Sequence, residues 1–224
     1  MDMSDNRFFY VSIGRQIGAG GLEIAKILGK KFNVPVYDKE LLVEASKESG
    51  LNPEIFEKVD ENKAIESRGG MFGFSSLAEG FSNFFTSTVL DSSALYKIES
   101  GVIAEIAEKE SAIFMGRCSD YILRDNPNGI SVFITASKPD RIARVKLNKK
   151  LDGIEKLSDE KISELLDKGD KKRANYYNNY TMKTWGKAES YDMCLDSTTF
   201  TTEGCAEIIA SVIREKFLTN RHPL

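Results

Sequence analysis

The sequence predicts an α/β fold, a five-stranded parallel sheet with helices on both faces. Three observations predict it. Short apolar runs rich in aromatic and β-branched residues recur along the 224 residues, as expected of strands buried on both faces. Stretches with apolar residues at helical spacing separate them. The first run opens directly into a glycine-rich loop and a helix, the start of a βαβ unit.

The elements follow in order. Residues 8–13 (FFYVSI) read as the first strand and run into GRQIGAGG at 14–21. Ile24, Ile27, Leu28 and Phe32 then share one face of a helix. Residues 34–37 form a second short strand. A helix is expected over 38–48, and Pro53 begins another. Residues 67–85 mix glycine, serine and phenylalanine without a period and read as a mobile or partner-covered segment. Helical spacing returns over 93–110 with Leu95, Ile98, Val102 and Ile106. Residues 112–115 (AIFM) and 130–136 (ISVFITA) are strands, and 139–150 is a basic helix. A turn at Asp152 and Gly153 precedes a long helix over 158–180. Residues 191–195 are the last strand. The last helix, 201–217, turns Ala206, Ile209, Ile213 and Phe217 inward. Alternating strands and helices give a parallel sheet covered on both sides. No linker divides the chain, so one domain over 1–224 is expected.

Composition excludes several classes. Hydrophobic residues make up 41% and charged residues 29%, which rules out disorder over the whole chain. No apolar run reaches the ~18 residues that a membrane helix needs. Residues 1–7 are polar and acidic, unlike a signal peptide, so the cytoplasm is the expected compartment. Cys118, Cys194 and Cys205 are scattered without a C-x-x-C and read as small buried hydrophobes rather than disulfides or zinc ligands. The one histidine, His222, stands in the tail, which argues against Ser-His-Asp hydrolysis and multi-histidine metal sites; no protein metal site is expected. The net charge of −3 hides an asymmetry. Residues 138–175 hold 12 Lys and Arg against 8 Asp and Glu, a balance of +4, while the remainder, 19 against 26, is −7. A basic segment on an acidic body suits a small polyanion better than a nucleic-acid polymer; alternating charges on a solvated helix face would look the same.

The glycine loop is the strongest candidate site. Small residues let backbone N–H groups close around an anion at the positive end of the following helix. The Walker pattern G-x-x-x-x-G-K-[ST] fits only in part. With Gly20 on its second glycine, Arg15 falls on the first glycine, Gly21 on the lysine and Leu22 on the Ser/Thr. A dinucleotide fingerprint starting at Gly18 and Gly20 puts Glu23 in place of the third glycine, though Asp38 stands where a ribose carboxylate would. Arg117 follows the third strand directly, at the sheet edge where α/β proteins bind ligands. Arg141 and Arg144 share a helical face, and Asp170 and Arg173 repeat that spacing. Arginine's planar fork matches phosphate oxygens.

Together these segments resemble the cytidylate kinase-like family of nucleoside monophosphate kinases, in order along nearly the whole chain. IGAGGLE at 17–23 is similar to that family's glycine loop, and Tyr37 and Asp38 to the start of its monophosphate-binding segment. Gly116 and Arg117 resemble its Gly-Arg-Asp. ITASKPDRIAR at 134–144 is similar to a strand and first lid helix, and DKKR at 170–173 to the second lid arm. YDMCLDST at 191–198 resembles the last strand, near the donor base. RQIG at 15–18 and NYY at 175–177 are similar to an uncharacterised bacterial branch.

The resemblance implies a P-loop kinase-like three-layer sandwich. It would carry a mobile monophosphate-binding segment at about 38–95 and a helical lid at about 145–180. It implies ATP-dependent phosphoryl transfer to a nucleoside monophosphate, cytidylate-like, or a similar small acceptor, with ATP and Mg²⁺. Ile17, Gly18, Ala19, Gly20, Gly21, Leu22 and Glu23 would bind ATP. Asp38, Lys39, Arg117, Cys118, Asp170 and Arg173 would bind the acceptor. Arg15, Arg117, Arg141, Arg144 and Arg173 would serve catalysis, Arg15 as the nearest stand-in for the absent lysine. The implied partner is a small nucleotide, with no nucleic-acid polymer and no membrane; self-association is compatible with the sequence.

Departures from the pattern mark this chain. Lys39 and Glu44 occupy the places of the family's serine and arginine after the monophosphate aspartate, and Cys118 that of a base-reading aspartate. Two alternatives stay open: a nucleotide-binding regulator that has lost its chemistry on a kinase scaffold, and, more remotely, a nicotinamide oxidoreductase.

Overall fold

The structure, a computed structural model, describes residues 8–38, 41–42, 93–148, 151 and 153–219. The sheet has five parallel strands: β1 (Tyr10–Arg15), β2 (Val36–Tyr37), β3 (Ala112–Phe114), β4 (Gly129–Thr135) and β5 (Met193–Asp196), in the order β2-β3-β1-β4-β5. Among the described residues six helices accompany them: α1 (Gly21–Phe32), α2 (Ser93–Lys109), α3 (Ser119–Ile122), α4 (Lys138–Lys146), α5 (Asp159–Tyr180) and α6 (Thr201–Ile213).

The alternation of side chains across each strand separates two cores. Val11, Ile13, Ile113, Met115, Val132 and Ile134 pack on one face under α1 and α6. Tyr10, Ala112 and Phe114 turn to the other face and meet Val102, Ile103 and Ala107 of α2. The sheet is therefore the middle of three layers. A third cluster lies off the sheet. Ile142 and Val145 of α4, Leu151, Ile154, and Ile162, Leu165 and Leu166 of α5 gather around Ile17 of the glycine loop. The basic arm is thus anchored to the loop through an apolar contact.

Some boundaries differ from expectation. The first strand begins and ends two residues later than 8–13, because its ladder with β4 continues through Gly14–Phe133 and Arg15–Ile134. Phe9 is buried ahead of the ladder, its ring stacked on Phe217 at 5.6 Å. The basic helix stops at Lys146 rather than 150. The last helix ends at Ile213 and widens into a looser turn over Arg214–Thr219 that still buries Phe217. Helix α3 was not foreseen.

All three cysteines are free thiols, but only Cys118 and Cys205 are buried. Cys194 is exposed, contrary to expectation, because Leu195 takes the inward position on β5 and its neighbour must face out. Lys39, Glu44, His222, the segment 67–85 and most of the helices expected over 38–48 and from Pro53 lie outside the described residues. No helix among the described residues is long and apolar enough to cross a membrane.

Candidate functional site

Because all strands are parallel, their carboxyl ends share one edge, where the candidate residues collect. β1 ends at Arg15, and the loop 16–20 leads into α1. Gly18 and Gly20 take left-handed φ of 76° and 78°. Gly20 stands directly before α1, and no side chain caps that helix. The first intrahelical bond runs from the Ile24 N–H to the Gly20 carbonyl at 3.0 Å, so the preceding amides have no partner within the helix. Such amides, at the positive end of a three-turn helix, can receive an anion.

The loop's carbonyls are tied down on the outside. Arg141 Nε donates to the Ile17 carbonyl at 2.7 Å, and the Ile17 N–H donates to Asp170 Oδ1 at 2.8 Å. The Arg141 guanidinium closes the ring by pairing with the other Asp170 oxygen. One residue, Ile17, is thereby held at its N–H by α5 and at its carbonyl by α4. Arg144 Nη1 reaches the Gly18 carbonyl at 3.4 Å and Ser197 Oγ at 2.9 Å, and the Ser197 hydroxyl donates to the Ala19 carbonyl at 2.8 Å. Three successive carbonyls are thus claimed by side chains, two from α4 and one from the residue after β5.

Cations crowd this loop. Arg173 Nη1 donates to the Arg15 carbonyl at 3.0 Å. Burial, then repulsion from Arg15, presses Arg173 well below the arginine range; Asp170 opposes this, and Arg141 adds to it. Arginine keeps its proton under such pressure, so the positive charge persists and an incoming anion would relieve it. One carboxylate, Asp170, sits among these guanidiniums, and burial pushes its own pKa up.

Next to the loop, β3 ends in an unusual turn. Gly116, Arg117 and Cys118 all take positive φ, at 74°, 58° and 58°. Two successive non-glycine residues in that region cost roughly 1–2 kcal/mol each and require support. Arg117 supplies some of it. Its Nε donates to Glu99 Oε2 at 2.8 Å, its Nη2 also pairs with that oxygen, and its guanidinium lies 4.6 Å over the Tyr176 ring. Glu99, on α2, is 0% exposed. Tyr176 stands one turn beyond Arg173 on α5, so Arg117 and Arg173 face the same stretch of that helix. Asp38 follows β2 on the same edge, its carboxylate accepting the Leu41 N–H at 3.1 Å.

A model of the cytidylate kinase-like family matches residues 10–199. The chain belongs to the cytidylate kinase-like family. An uncharacterized protein from Eubacterium ventriosum ATCC 27560 is similar to it at 26% identity, covering 92% of this chain and 98% of its own, with a TM-score of 0.66. Two other solved structures share the fold. One is a shikimate kinase from Bacteroides thetaiotaomicron (15% identity, 92% and 98% covered, TM-score 0.50), the other a gluconokinase from Sinorhizobium meliloti 1021 (12%, 94% and 95%, 0.52). No curated protein matches the chain. The fold is that of P-loop kinases.

Within this family member, the structure rearranges several expected roles. Arg141, expected to close over a transferring group, is 3% exposed and committed to Ile17 and Asp170. Asp170, expected to serve the acceptor, spends both oxygens on that clamp. Their burial in the contact between α4, α5 and the loop makes them parts of the loop's frame. Cys118 is 2% exposed behind Arg117, and burial pushes its thiol pKa up, so it offers a ligand neither charge nor access.

Ser197, Glu99 and Tyr176 were missed as site residues. Ser197 lies in the LDST segment that resembles the family's last strand, where its hydroxyl could have been singled out. Glu99 falls four residues after Leu95 and three before Val102, on the inward face of α2, and an acidic residue on that face was a readable signal. Nothing in the sequence marks Tyr176 among its neighbouring tyrosines.

Proposed function

We propose that this protein is a kinase that transfers a phosphoryl group from ATP to a nucleoside monophosphate or a similar small acceptor. The observation that carries this reading is the uncapped start of α1 behind Gly18 and Gly20, ringed by Arg15, Arg144 and Arg173. A short run of amides and several guanidiniums suits a polyphosphate and nothing neutral. ATP, when bound, supplies the phosphoryl group and carries Mg²⁺ on its phosphates. Among the described residues no group of three or more His, Cys, Asp or Glu is placed to hold a metal, and Leu22 stands where a Ser/Thr would help.

The chain's own residues then position and neutralise. Residues 17–23 hold the donor phosphates, and Arg144 steadies the loop while facing the same space. Arg173 and Arg117 border the acceptor side, with Asp38 following β2 at the same edge. Arg141 and Asp170 keep the loop in shape. Catalysis by positioning and charge neutralisation requires no covalent intermediate. Cys118 in place of a base-reading carboxylate leaves cytosine's amino group without an acceptor. CMP and UMP should then differ in kcat/KM by less than about a hundredfold, where a built polar contact discriminates by about 10⁴.

The test is ADP release with ATP, Mg²⁺ and a panel of monophosphates and small hydroxylated acceptors, the product identified by phosphorus NMR. Acceptor-dependent ADP formation supports the reading. Tight ATP binding without transfer to any acceptor would leave the alternative, a nucleotide-binding regulator on a kinase scaffold.

A further inference from the structure

We infer that Arg15 fills, from strand β1, the place that the lysine of a Walker loop fills from the helix, and that Gly21 is a glycine because Arg15 passes over it. The inference rests on the glycine loop being a phosphate site. It goes further by naming the residue that carries the lysine's charge and the reason no lysine can stand at position 21.

The geometry is that of one side chain bordered by two missing ones. A Cβ built on Gly21 would lie 2.9 Å from Arg15 Cβ and 3.0 Å from Arg15 Cγ. Contacts under 3.0 Å are essentially never seen for real Cβ atoms, so Arg15's stem occupies the root of any side chain at 21. A Cβ on Gly116 would lie 2.5 Å from Arg15 Nη1. The arginine therefore starts at the carboxyl end of β1, crosses the first residue of α1 and ends over the last turn of β3. That path runs from the donor loop to the Gly116–Arg117 side of the cleft. A lysine at 21 would start from the helix; Arg15 delivers its charge to the same mouth from the strand.

Three further facts agree. Position 21 is where the Walker alignment calls for lysine, and Arg15 falls on that pattern's first glycine, so the cation and the small residue have exchanged places in the sequence. Arg15 is held at its root, because its carbonyl accepts from Arg173 Nη1 at 3.0 Å. Its charge is close enough to Arg173 to be the largest electrostatic contribution lowering that residue's pKa. Two guanidiniums held that close form a receiver for charge spread over several phosphate oxygens, and a planar fork can bridge two oxygens where an ammonium offers a point.

The exchange predicts a reciprocal pattern among variants, measured by calorimetric binding of ATP and of inorganic tripolyphosphate, with thermal unfolding as the check of fold. Arg15→Ala should weaken both ligands by about tenfold to a hundredfold, the loss of a charge-assisted contact. Arg15→Met, which keeps most of the stem without the charge, should lose as much. Gly21→Lys in the wild-type chain should weaken binding as well, because the new stem meets Arg15. Gly21→Lys combined with Arg15→Gly, which also removes the Cβ at 15, should recover most of the affinity, whereas Gly21→Lys combined with Arg15→Met should not. Such non-additivity is what residues sharing one space produce. Wild-type affinity in a folded Arg15→Ala protein overturns the inference, and so does a Gly21→Lys protein that binds as well as wild type. If the reciprocal pattern holds but no acceptor is phosphorylated, the kinase reading falls and the assignment of Arg15 stands. If wild type binds neither ATP nor tripolyphosphate, both fall.

Discussion

Gly20 meets two demands at once. Its φ of 78° favours a residue without Cβ, and a Cβ there would lie 2.5 Å from Thr202 Cγ2. Valine would add roughly 1–2 kcal/mol of left-handed strain to that collision. Gly20→Val should fold with a lowered melting temperature and lose nucleotide affinity by more than about tenfold, a charge-assisted contact or more; calorimetry showing unchanged ATP affinity in the folded variant sinks the phosphate-loop assignment. The cysteines offer a second check at this scale. Burial raises the pKa of all three thiols, and Cys118 and Cys205 are buried while Cys194 is exposed. A maleimide should therefore modify one thiol quickly in the native protein and all three only after denaturation.

Between elements, the clamp of Arg141 and Asp170 on Ile17 decides whether the loop keeps its shape. Arg141→Ala would strand the Asp170 carboxylate, and breaking a buried pair in this way costs about 3–5 kcal/mol. Asp170→Asn, which still accepts from the Ile17 N–H, should cost less. Thermal unfolding of the two variants checks the order, and equal losses would show that the pair is not the clamp. A second joint links α3 to α5, where Tyr177 Oη donates to Asp120 Oδ2 at 2.6 Å. Burial raises Asp120's pKa more than this bond and Lys183 lower it. The folded state therefore holds that proton more tightly than the unfolded chain. The resulting stability is present below the unfolded carboxylate pKa of about 3.9 and is lost as pH rises through the folded value. Asp120→Asn does not titrate, so the stability of wild type relative to this variant should fall as pH rises above about 4 in denaturant titrations. A constant difference would show that Asp120 ionises as it does in the unfolded chain.

For the whole molecule, charge is divided between a basic arm and an acidic body, and the arm's arginines meet Arg15 at the mouth of the sheet. A polyanion binding there stabilises the folded state by mass action. Tripolyphosphate at a hundred times its Kd should contribute about 2.7 kcal/mol, which for a chain of this size raises Tm by roughly 5–10 °C. Added salt should shrink the shift, because the partly exposed cations are screened. Sodium chloride at equal ionic strength should give no comparable stabilisation. A shift absent in wild type, or undiminished in Gly20→Val, would place the polyanion elsewhere.

The sequence by itself determined the layered α/β fold, because a run such as AIFM can only be buried on both sides and a helix such as α1 only on one. It also singled out the glycine loop as the candidate anion site, since a strand running into glycines and then a helix has few other uses. It was legible, too, that Arg117, Arg141, Arg144 and Arg173 follow strand ends or line the basic segment. Which of them face a ligand was not. Arg141 and Arg144 share one helical face and one sequence pattern, yet Arg141 is sealed against Ile17 and Asp170 while Arg144 stays half-buried beside Ser197. That difference arises from how α5, Ile17 and β5 converge on α4 from distant parts of the chain, a long-range packing outcome that no local spacing encodes. The meaning of Gly21 was hidden for the same reason: a missing lysine reads as a loss until the fold lays Arg15 across its place.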